Sequence, residues 1–338
     1  MRKYCEENER IKRKYLTYLK QAKGQDQKSL DKVAAALVKF EESTKFASFK
    51  KFHIEWAGKF KAYQEKERHP KTGKPLSYST TDATLRLVKG FVHWLAGQSG
   101  YKSRISYADA EYFNNNANNA RVAHAQRDVA FPSMEQALHA FQAMPNSTDI
   151  ERRDKALFAF FMLTGARDGA VASLKLKHIN LFESSVFQDG RDVQTKNRKT
   201  FMTWFFPVET EYHNCFEGWV NYLRKEKLFG NEDALFPKPE RRLVDGRFAF
   251  DTLSRESYSN SAKINAVIRN AFAMVQLPQY TPHLFRKTLA MYGDRTCTNL
   301  EQMKAWSMNL GHEKLATTVS AYMPVSQQRQ GELIKGLK

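Results

Sequence analysis

Helical periodicity runs through most of this chain, and one short stretch, residues 184–208, has the pattern of β structure. There, an apolar segment leads into an Asp189-Gly190 turn, and strand-forming residues follow at 192–195 and at Thr200–Phe206. Residues 196–199 then form the tip between the last two strands. On both sides of this stretch, apolar residues recur at helical spacing. The pattern predicts a mainly α protein with a small β-sheet.

The length of 338 residues suits two domains, each with its own core. A polar, Asn-rich stretch without an apolar stripe predicts a linker, and the Ser133–Gln136 capping box predicts a helix soon after it. The predicted segments are an N-terminal charged helical extension (1–25), a helical domain (26–112), a linker (113–127) and a second, α+β domain (128–338).

The chain is strongly basic, with 54 Lys and Arg against 36 Asp and Glu and a net charge of +18. Residues 1–100 carry 22 of these basic residues against 11 acidic ones, and basic and aromatic residues alternate through Lys45–Phe52. An excess of this kind favours a polyanionic partner. We interpret it as a nucleic-acid surface, with a membrane surface as the alternative.

The cysteines Cys5, Cys215 and Cys297 are odd in number and far apart, which predicts neither a disulfide framework nor a zinc ribbon. The N-terminus begins with charged residues and shows no apolar signal region. The longest apolar run, Ala156–Leu163, is far shorter than a membrane span. We therefore expect a cytoplasmic protein with no membrane partner.

Polar residues capable of phosphate chemistry follow one another through the second domain. Taken singly, each has an ordinary structural explanation, such as a salt bridge, a turn or core packing. Together, two arginines, two histidines and a late tyrosine can bind a phosphate, manage protons and attack phosphorus without a metal. They are Arg167 in Thr164-Gly-Ala-Arg, His283 and Arg286 in His-Leu-Phe-Arg, His312 in Leu310-Gly-His, and Tyr322.

In this order and spacing the motifs resemble those of the tyrosine recombinases, the phage integrase family. The resemblance covers residues 128–335 by motif and the first third in general character. It implies a helical, SAM-like core-binding domain at 26–112 and a tyrosine-recombinase catalytic domain at 128–338. The two domains are expected to form a C-shaped clamp around DNA.

The resemblance also assigns catalytic roles. Arg167 and Arg286 would stabilise charge on the phosphate, and Tyr322 would be the nucleophile that forms a 3′-phosphotyrosyl bond. His283 would accept the tyrosine proton, and His312 would hydrogen-bond the phosphate or help to hold the transition-state charge. The family's hairpin lysine, which protonates the 5′-oxygen leaving group, aligns with Lys196, and Lys199 is the alternative.

Two features depart from the family pattern. Ala170 stands where many relatives carry an acidic residue that supports the first arginine. Support for Arg167 must therefore come from elsewhere. The interval from His312 to Tyr322 is ten residues, one more than is usual in the family. We interpret the longer interval as an insertion in the loop before the tyrosine helix.

The predicted function is site-specific cleavage and rejoining of double-stranded DNA at attachment or core sites, for integration or excision of a phage or other mobile element. No phosphate-binding Gly-x-x-x-x-Gly-Lys-Ser/Thr loop occurs, and we expect no cofactor, metal or ATP. Expected partners are a homo-tetramer in the synaptic complex and accessory DNA-bending or directionality proteins, in the bacterial cytoplasm at the nucleoid. The alternatives are a type IB topoisomerase-like enzyme and a DNA-binding relative that has lost catalysis.

Overall fold

Separate hydrophobic cores lie in the two units into which the chain divides, an N-terminal unit (Met1–Arg127) and a C-terminal unit (Asp128–Lys338). Both are predominantly helical, and the small β-sheet belongs to the second. This confirms the predicted fold class of a mainly α protein with a small sheet. The computed structural model describes residues 4–70, 72–125, 129–244, 247–249, 252–313, 315–322 and 327–336.

The N-terminal unit packs its helices around a core of phenylalanine rings. Phe40 lies at its centre, in contact with the rings of Phe49, Phe60 and Phe113. All four side chains are fully buried. The described α-helices of this unit are α1 (Glu6–Gln21), α2 (Gln27–Ser43), α3 (Glu55–Lys66), α4 (Tyr78–Ala96) and α5 (Ala117–His124), with 3₁₀ turns at Phe49–Lys51 and Tyr107–Phe113.

Helix α1 is part of this core, so the expectation of a separate extension at residues 1–25 is wrong. Its apolar positions Ile11, Tyr15 and Leu19 are buried in the same cluster as the other helices. The fully buried Asn8 accepts a hydrogen bond from the backbone of Phe49 at 2.9 Å. The charges that suggested an independent helix lie on its exposed face, which is typical of an amphipathic helix.

The segment predicted as a linker, 113–127, is largely ordered in its described part. Phe113 is buried in the core of the N-terminal unit, and α5 packs along α4. The asparagines have a local use, because the Asn116 side chain accepts a hydrogen bond from the backbone of Asn119 at 2.7 Å and so caps α5. An Asn-rich sequence marked a helix start here rather than a long linker.

The C-terminal unit is built around a buried central helix. Residues 156–163 of this helix are almost completely buried and form the middle of the core. The helices described in this unit are α6 (Met134–Gln142), α7 (Asp149–Thr164), α8 (Asp168–Val171), α9 (Thr210–Lys225), α10 (Ala262–Met274), α11 (Pro282–Thr296), α12 (Leu300–Asn309), α13 (Leu315–Tyr322) and α14 (Gln327–Gly336). The central helix is α7. No helix in the described ranges of the chain is long and apolar enough to cross a membrane.

The sheet of this unit is antiparallel, in the order β1 (Ile179–Asn180), β2 (Ser185–Gln188) and β3 (Phe201–Trp204). Strand β1 and a separate hairpin of β4 (Arg242–Val244) with β5 (Arg247–Ala249) were not predicted. They are only two or three residues long, too short to produce an alternating pattern.

The strand predicted at 192–195 is absent from the described sheet. The backbone of Asp189 instead accepts hydrogen bonds from Asp192 at 3.1 Å and Val193 at 2.7 Å, which closes a turn. Residues 189–200 therefore form one long connection between β2 and β3. The lysines at 196 and 199 lie on this connection, as predicted, with a 3₁₀ turn at Lys196–Arg198.

Candidate active site

The turn after α7 brings Arg167 to the site. Gly165 ends the helix with a φ of +56°, and a Cβ there would lie 2.7 Å from a methyl carbon of Leu310. Both the left-handed backbone and this close approach require glycine. Arg167 follows at the N-cap of α8 and is half-buried. Its guanidinium forms no hydrogen bond or ion pair with any part of the chain that the structure describes.

Arg286 is the most deeply buried charged residue of the predicted set, at 1% exposure. One guanidinium nitrogen, Nη1, donates to the carbonyl of Gly165. The other, Nη2, donates to the carbonyl of Leu310 and to Nε2 of His312, the latter at 2.9 Å. The arginine therefore joins the end of α7 to the loop after α12, and its orientation is fixed by these bonds.

His312 is also buried, and both of its ring nitrogens have partners. Nδ1 lies 2.7 Å from Oγ1 of Thr318, which in turn lies 2.6 Å from Oγ of Ser307. Burial and then the charges of Arg286, Arg167 and Lys199 lower the pKa of His312 to about 4. The imidazole is therefore neutral at pH 7.

His283 has a more open environment. It is the second residue of α11, and its side chain is exposed. Desolvation by the surrounding protein lowers its pKa, and the charges of Arg286 and Arg167 lower it further, while the carboxylate of Asp168 acts in the opposite direction. At neutral pH this histidine is in the unprotonated form that can accept a proton.

Asp168, the residue after Arg167, supplies a carboxylate that the sequence analysis did not include among the site residues. Burial would raise its pKa, but hydrogen bonds from Asn265 and Ser261 outweigh it and lower the pKa of the carboxyl. The side chain accepts from Nδ2 of Asn265 at 2.7 Å and from the backbone of Gly169 at 2.9 Å. Asp168 is therefore ionised and held by α10.

Ala170, at the position expected to be acidic in relatives, is buried against the same cavity as Arg167. Its methyl group supplies no polar partner. The nearest acidic side chain along the chain is that of Asp168, two residues earlier. The carboxylate of Asp168 is bonded to Asn265 and acts on the pKa of His283.

The two candidate lysines lie on different sides of a sharp reversal. Asn197 and Arg198 have φ values of +59° and +55°, so the backbone turns in a left-handed conformation between the lysines. Lys196 is exposed and borders a cavity of about 10 Å³ that Arg167 and Arg286 also line. Lys196 therefore shares a cavity with both arginines.

Lys199 lies nearer to the histidine end of the site. Its Nζ is 3.6 Å from a carboxylate oxygen of Glu313, and its charge contributes to the lowered pKa of His312. Both lysines are thus in the site region, and their surroundings differ: an arginine-lined cavity for Lys196, and an acidic partner for Lys199.

Tyr322 is the last residue of α13, and the structure describes its backbone. Its side chain lies outside the described residues, and its role as the nucleophile stays a prediction. Thr318, which precedes the tyrosine as the family pattern expects but received no role from the sequence, connects the same helix to His312, and Ser307 contacts Thr318 from α12. The signal that could have found Thr318 is its position, six residues after His312 and four before Tyr322.

Among the described residues, no group of three or more His, Cys, Asp or Glu side chains could hold a metal ion. The described polar groups that meet in the C-terminal unit are instead the two arginines, the two histidines, the lysines and the Asp168 carboxylate.

The fold is that of known DNA recombinases. No protein-family model matches the chain, and no curated protein matches it in sequence. Among solved structures it is similar to the Tn1549 transposon integrase in complex with transposon right end DNA, with 13% identity, a TM-score of 0.60, and 97% of this chain and 99% of that chain covered.

Two further structures agree. A lambda integrase dimer bound to a COC′ core site shares 13% identity and a TM-score of 0.59, with 94% of this chain and 95% of that chain covered. The XerH site-specific recombinase bound to a palindromic difH substrate shares 18% identity and a TM-score of 0.59, with 95% and 83% covered. The chain therefore has the tyrosine recombinase fold over nearly its whole length, which confirms the resemblance drawn from its motifs.

Proposed function

We propose that the protein is a site-specific DNA recombinase that cleaves and rejoins DNA through a 3′-phosphotyrosyl intermediate. The observation that carries the proposal is the convergence of Arg167, Arg286 and Lys196 on one small cavity, with His312 hydrogen-bonded to Arg286. Donors and positive charge thus converge on one place, and the buried Arg286 and His312 lie where electrostatic stabilisation is strong. The resemblance in fold to DNA-bound integrases supports it.

The chemistry would begin with attack of the Tyr322 hydroxyl on a DNA phosphodiester. Negative charge then develops on the non-bridging oxygens, and the planar, paired donors of Arg167 and Arg286 suit those oxygens. Arg286 is held by three hydrogen bonds and needs little reorganisation to act. In this proposal His312 acts through Arg286, because its Nε2 accepts from that arginine.

Two proton transfers complete the step. His283, neutral at pH 7 because of its lowered pKa, would take the proton of the tyrosine hydroxyl, whose ordinary pKa is about 10. Lys196 would give a proton to the 5′-oxygen as its bond to phosphorus breaks. The new tyrosine–phosphate ester conserves the energy of the broken bond, so a 5′-hydroxyl can reverse the step without a nucleotide cofactor.

Double-stranded DNA is the proposed partner of both the basic helical N-terminal unit and the catalytic unit. The excess of basic residues in the first 100 residues supports this part. We also propose a tetramer in the synaptic complex, accessory DNA-bending or directionality proteins, a natural task in a phage or other mobile element, and a place at the bacterial nucleoid. These parts rest on the family resemblance.

A covalent-adduct assay tests the proposal. Binding sites selected from a random duplex library would be nicked near the cleavage position, so that the cut fragment is lost and the adduct is trapped. The native chain should form a protein–DNA adduct, and Tyr322→Phe should abolish it while DNA binding is retained. An adduct that survives in Tyr322→Phe contradicts the nucleophile assignment.

A companion assay separates recombination from relaxation. A plasmid carrying two selected sites should yield recombinant circles with the native chain. Relaxation of a plasmid that lacks the sites, without recombination of the two-site plasmid, would indicate a topoisomerase instead. A chain that binds the sites and forms no adduct at all would be a relative that has lost catalysis.

A further inference from the structure

Two buried hydroxyl groups continue the hydrogen-bond chain beyond the predicted active-site residues. Thr318 and Ser307 have exposures of 0% and 1%, and their oxygens are 2.6 Å apart. Thr318 lies 2.7 Å from Nδ1 of His312, and Nε2 of His312 lies 2.9 Å from Arg286. This series of hydrogen bonds thus connects α12 to α13, then to the loop that carries His312, and finally to α11.

We propose that Thr318 is a positioning residue of this site: its hydroxyl accepts the Nδ1 proton of the His312 tautomer that Arg286 requires, and it ties the helix that carries Tyr322 to Arg286. The proposal deepens the proposed function and rests on it for its catalytic part. Its structural part, the hydrogen bond from His312 Nδ1 to Thr318, can be measured without any DNA.

The tautomer follows from which atoms can donate. A guanidinium has only donors, so Nε2 of His312 must accept from Arg286 through its lone pair. A neutral imidazole then carries its one proton on Nδ1, which donates to Oγ1 of Thr318. The Thr318 hydroxyl hydrogen remains available for Ser307. The three contacts are therefore mutually consistent in their donors and acceptors.

Without the Thr318 hydroxyl, the Nδ1 proton would be buried without its acceptor. The imidazole could escape that cost by moving its proton to Nε2, which would place two donors, Nε2–H and Nη2–H, against each other. The first response destabilises the imidazole that accepts from Arg286, and the second removes that acceptor. The hydroxyl of Thr318 therefore stabilises the contact that helps to hold the arginine.

The same hydroxyl links the arginine to the nucleophile. Tyr322 follows Thr318 by four residues in α13, about one helical turn. Because Thr318 anchors α13 to His312, the contact that holds Arg286 also holds the backbone that carries Tyr322. Seating of the tyrosine helix and alignment of the arginine are thus coupled, and one is not complete without the other.

The test compares Thr318→Val, which keeps the shape and removes the hydroxyl, with Thr318→Ser, which restores it. The matched control is Thr288→Val. Thr288 is also buried in the same unit. Its hydroxyl donates to the carbonyl of Pro132 at 2.6 Å and takes no part in the hydrogen bonds that join Ser307, Thr318 and His312. Urea unfolding establishes that each variant is folded at the assay temperature.

Nitrogen NMR of histidine side chains, on the full chain without DNA, reports the tautomer. The His312 signals should show a protonated Nδ1 and an unprotonated Nε2 in the native chain, in Thr318→Ser and in Thr288→Val. In Thr318→Val the Nδ1–H signal should shift or be lost, because this N–H no longer has its acceptor. Unchanged His312 nitrogen and Nδ1–H signals in Thr318→Val overturn the proposal, whether or not the protein proves to be a recombinase.

Single-turnover cleavage of a selected, nicked site reports the catalytic part. Thr318→Val should cleave about 10- to 100-fold more slowly with its Kd for DNA unchanged, while Thr318→Ser stays within about threefold of the native rate. Native-like cleavage by Thr318→Val, or an equal loss in Thr288→Val, overturns the proposal. Absence of any adduct with the native chain would instead reject the proposed function and leave the NMR result standing.

Discussion

Nε2 of His312 accepts a hydrogen bond from Nη2 of Arg286, at 2.9 Å, in a region where both side chains are buried. The family resemblance led us to expect that this histidine would hydrogen-bond the phosphate or help to hold the transition-state charge. In the structure the imidazole accepts a hydrogen bond from the guanidinium. Its neutral state suits that use, because a protonated ring would place a second cation against the arginine.

Arg286→Lys should lower the free energy of unfolding far more than the same substitution at an exposed arginine. A lysine amine cannot reach the Gly165 and Leu310 carbonyls and His312 together, and a buried cation with unmet donors results. We expect a loss of about 2–4 kcal/mol in the free energy of unfolding. Urea titration measures it, with the exposed Arg269→Lys as control. Equal effects of the two changes would contradict the bridging role.

The free energy of unfolding should fall as the pH is lowered from about 6.5 towards 4. The folded-state pKa of His312 is about 4, below the ordinary value of 6.5. Between these two pH values the imidazole is protonated in the unfolded chain and neutral in the folded chain, so lower pH favours unfolding. The contribution is complete above pH 6.5 and on the order of 3 kcal/mol. His312→Gln should flatten this part of the curve. The buried His178, whose pKa is also lowered, should preserve a residual slope.

Lys196→Ala and Lys199→Ala should differ on modified DNA. The cavity shared with Arg167 and Arg286 favours Lys196 as the acid, and the ion pair of Lys199 with Glu313 favours a supporting role for that lysine. A 5′-bridging phosphorothiolate has a leaving group that needs no proton, so it should restore cleavage to Lys196→Ala. If the phosphorothiolate restores cleavage to Lys199→Ala and not to Lys196→Ala, Lys199 is the acid and Lys196 has the supporting role.

Gly190→Ala should disrupt the connection that carries the lysines. A Cβ at Gly190 would lie 2.0 Å from the carbonyl oxygen of Arg198, so the backbone of one segment would have to move. We expect a drop of several °C in Tm and slower cleavage. Gly218→Ala, in the exposed middle of α9 with nothing near its Cβ, should be neutral or stabilise by up to about 1 kcal/mol. Calorimetry of the two variants decides the comparison.

Asp168→Asn should move the acidic limb of the cleavage pH–rate profile to lower pH. The carboxylate of Asp168 raises the pKa of His283 by its charge, and the amide removes that charge while keeping the shape. If His283 is the proton acceptor, its active, neutral form then persists in more acidic solution. If the acidic limb moves to higher pH or does not move, the charge of Asp168 does not act on the group whose titration limits cleavage. Asp192→Asn, in a surface ion pair with Lys177, is the control.

Local signals predicted local structure well. The Ser133–Gln136 capping box is present in full, and Gly165 closes α7 in the left-handed conformation. Such features depend on residues three or four positions apart, so the sequence contains all that is needed. The prediction failed where pairing partners are distant: the strand expected at 192–195 gave way to a turn, and β1 was missed.

By itself, the sequence determined the fold class, the start and end of several helices, and the set of residue types suited to phosphate chemistry. The tertiary structure decided what those residues do to one another. It placed α1 in the core, held Asp168 against Asn265 beside Ala170, and joined Arg286 to His312 and Thr318. Helix periodicity is a local property, whereas burial and hydrogen-bond partners depend on which distant segments pack together, and these set the charge state of a buried histidine.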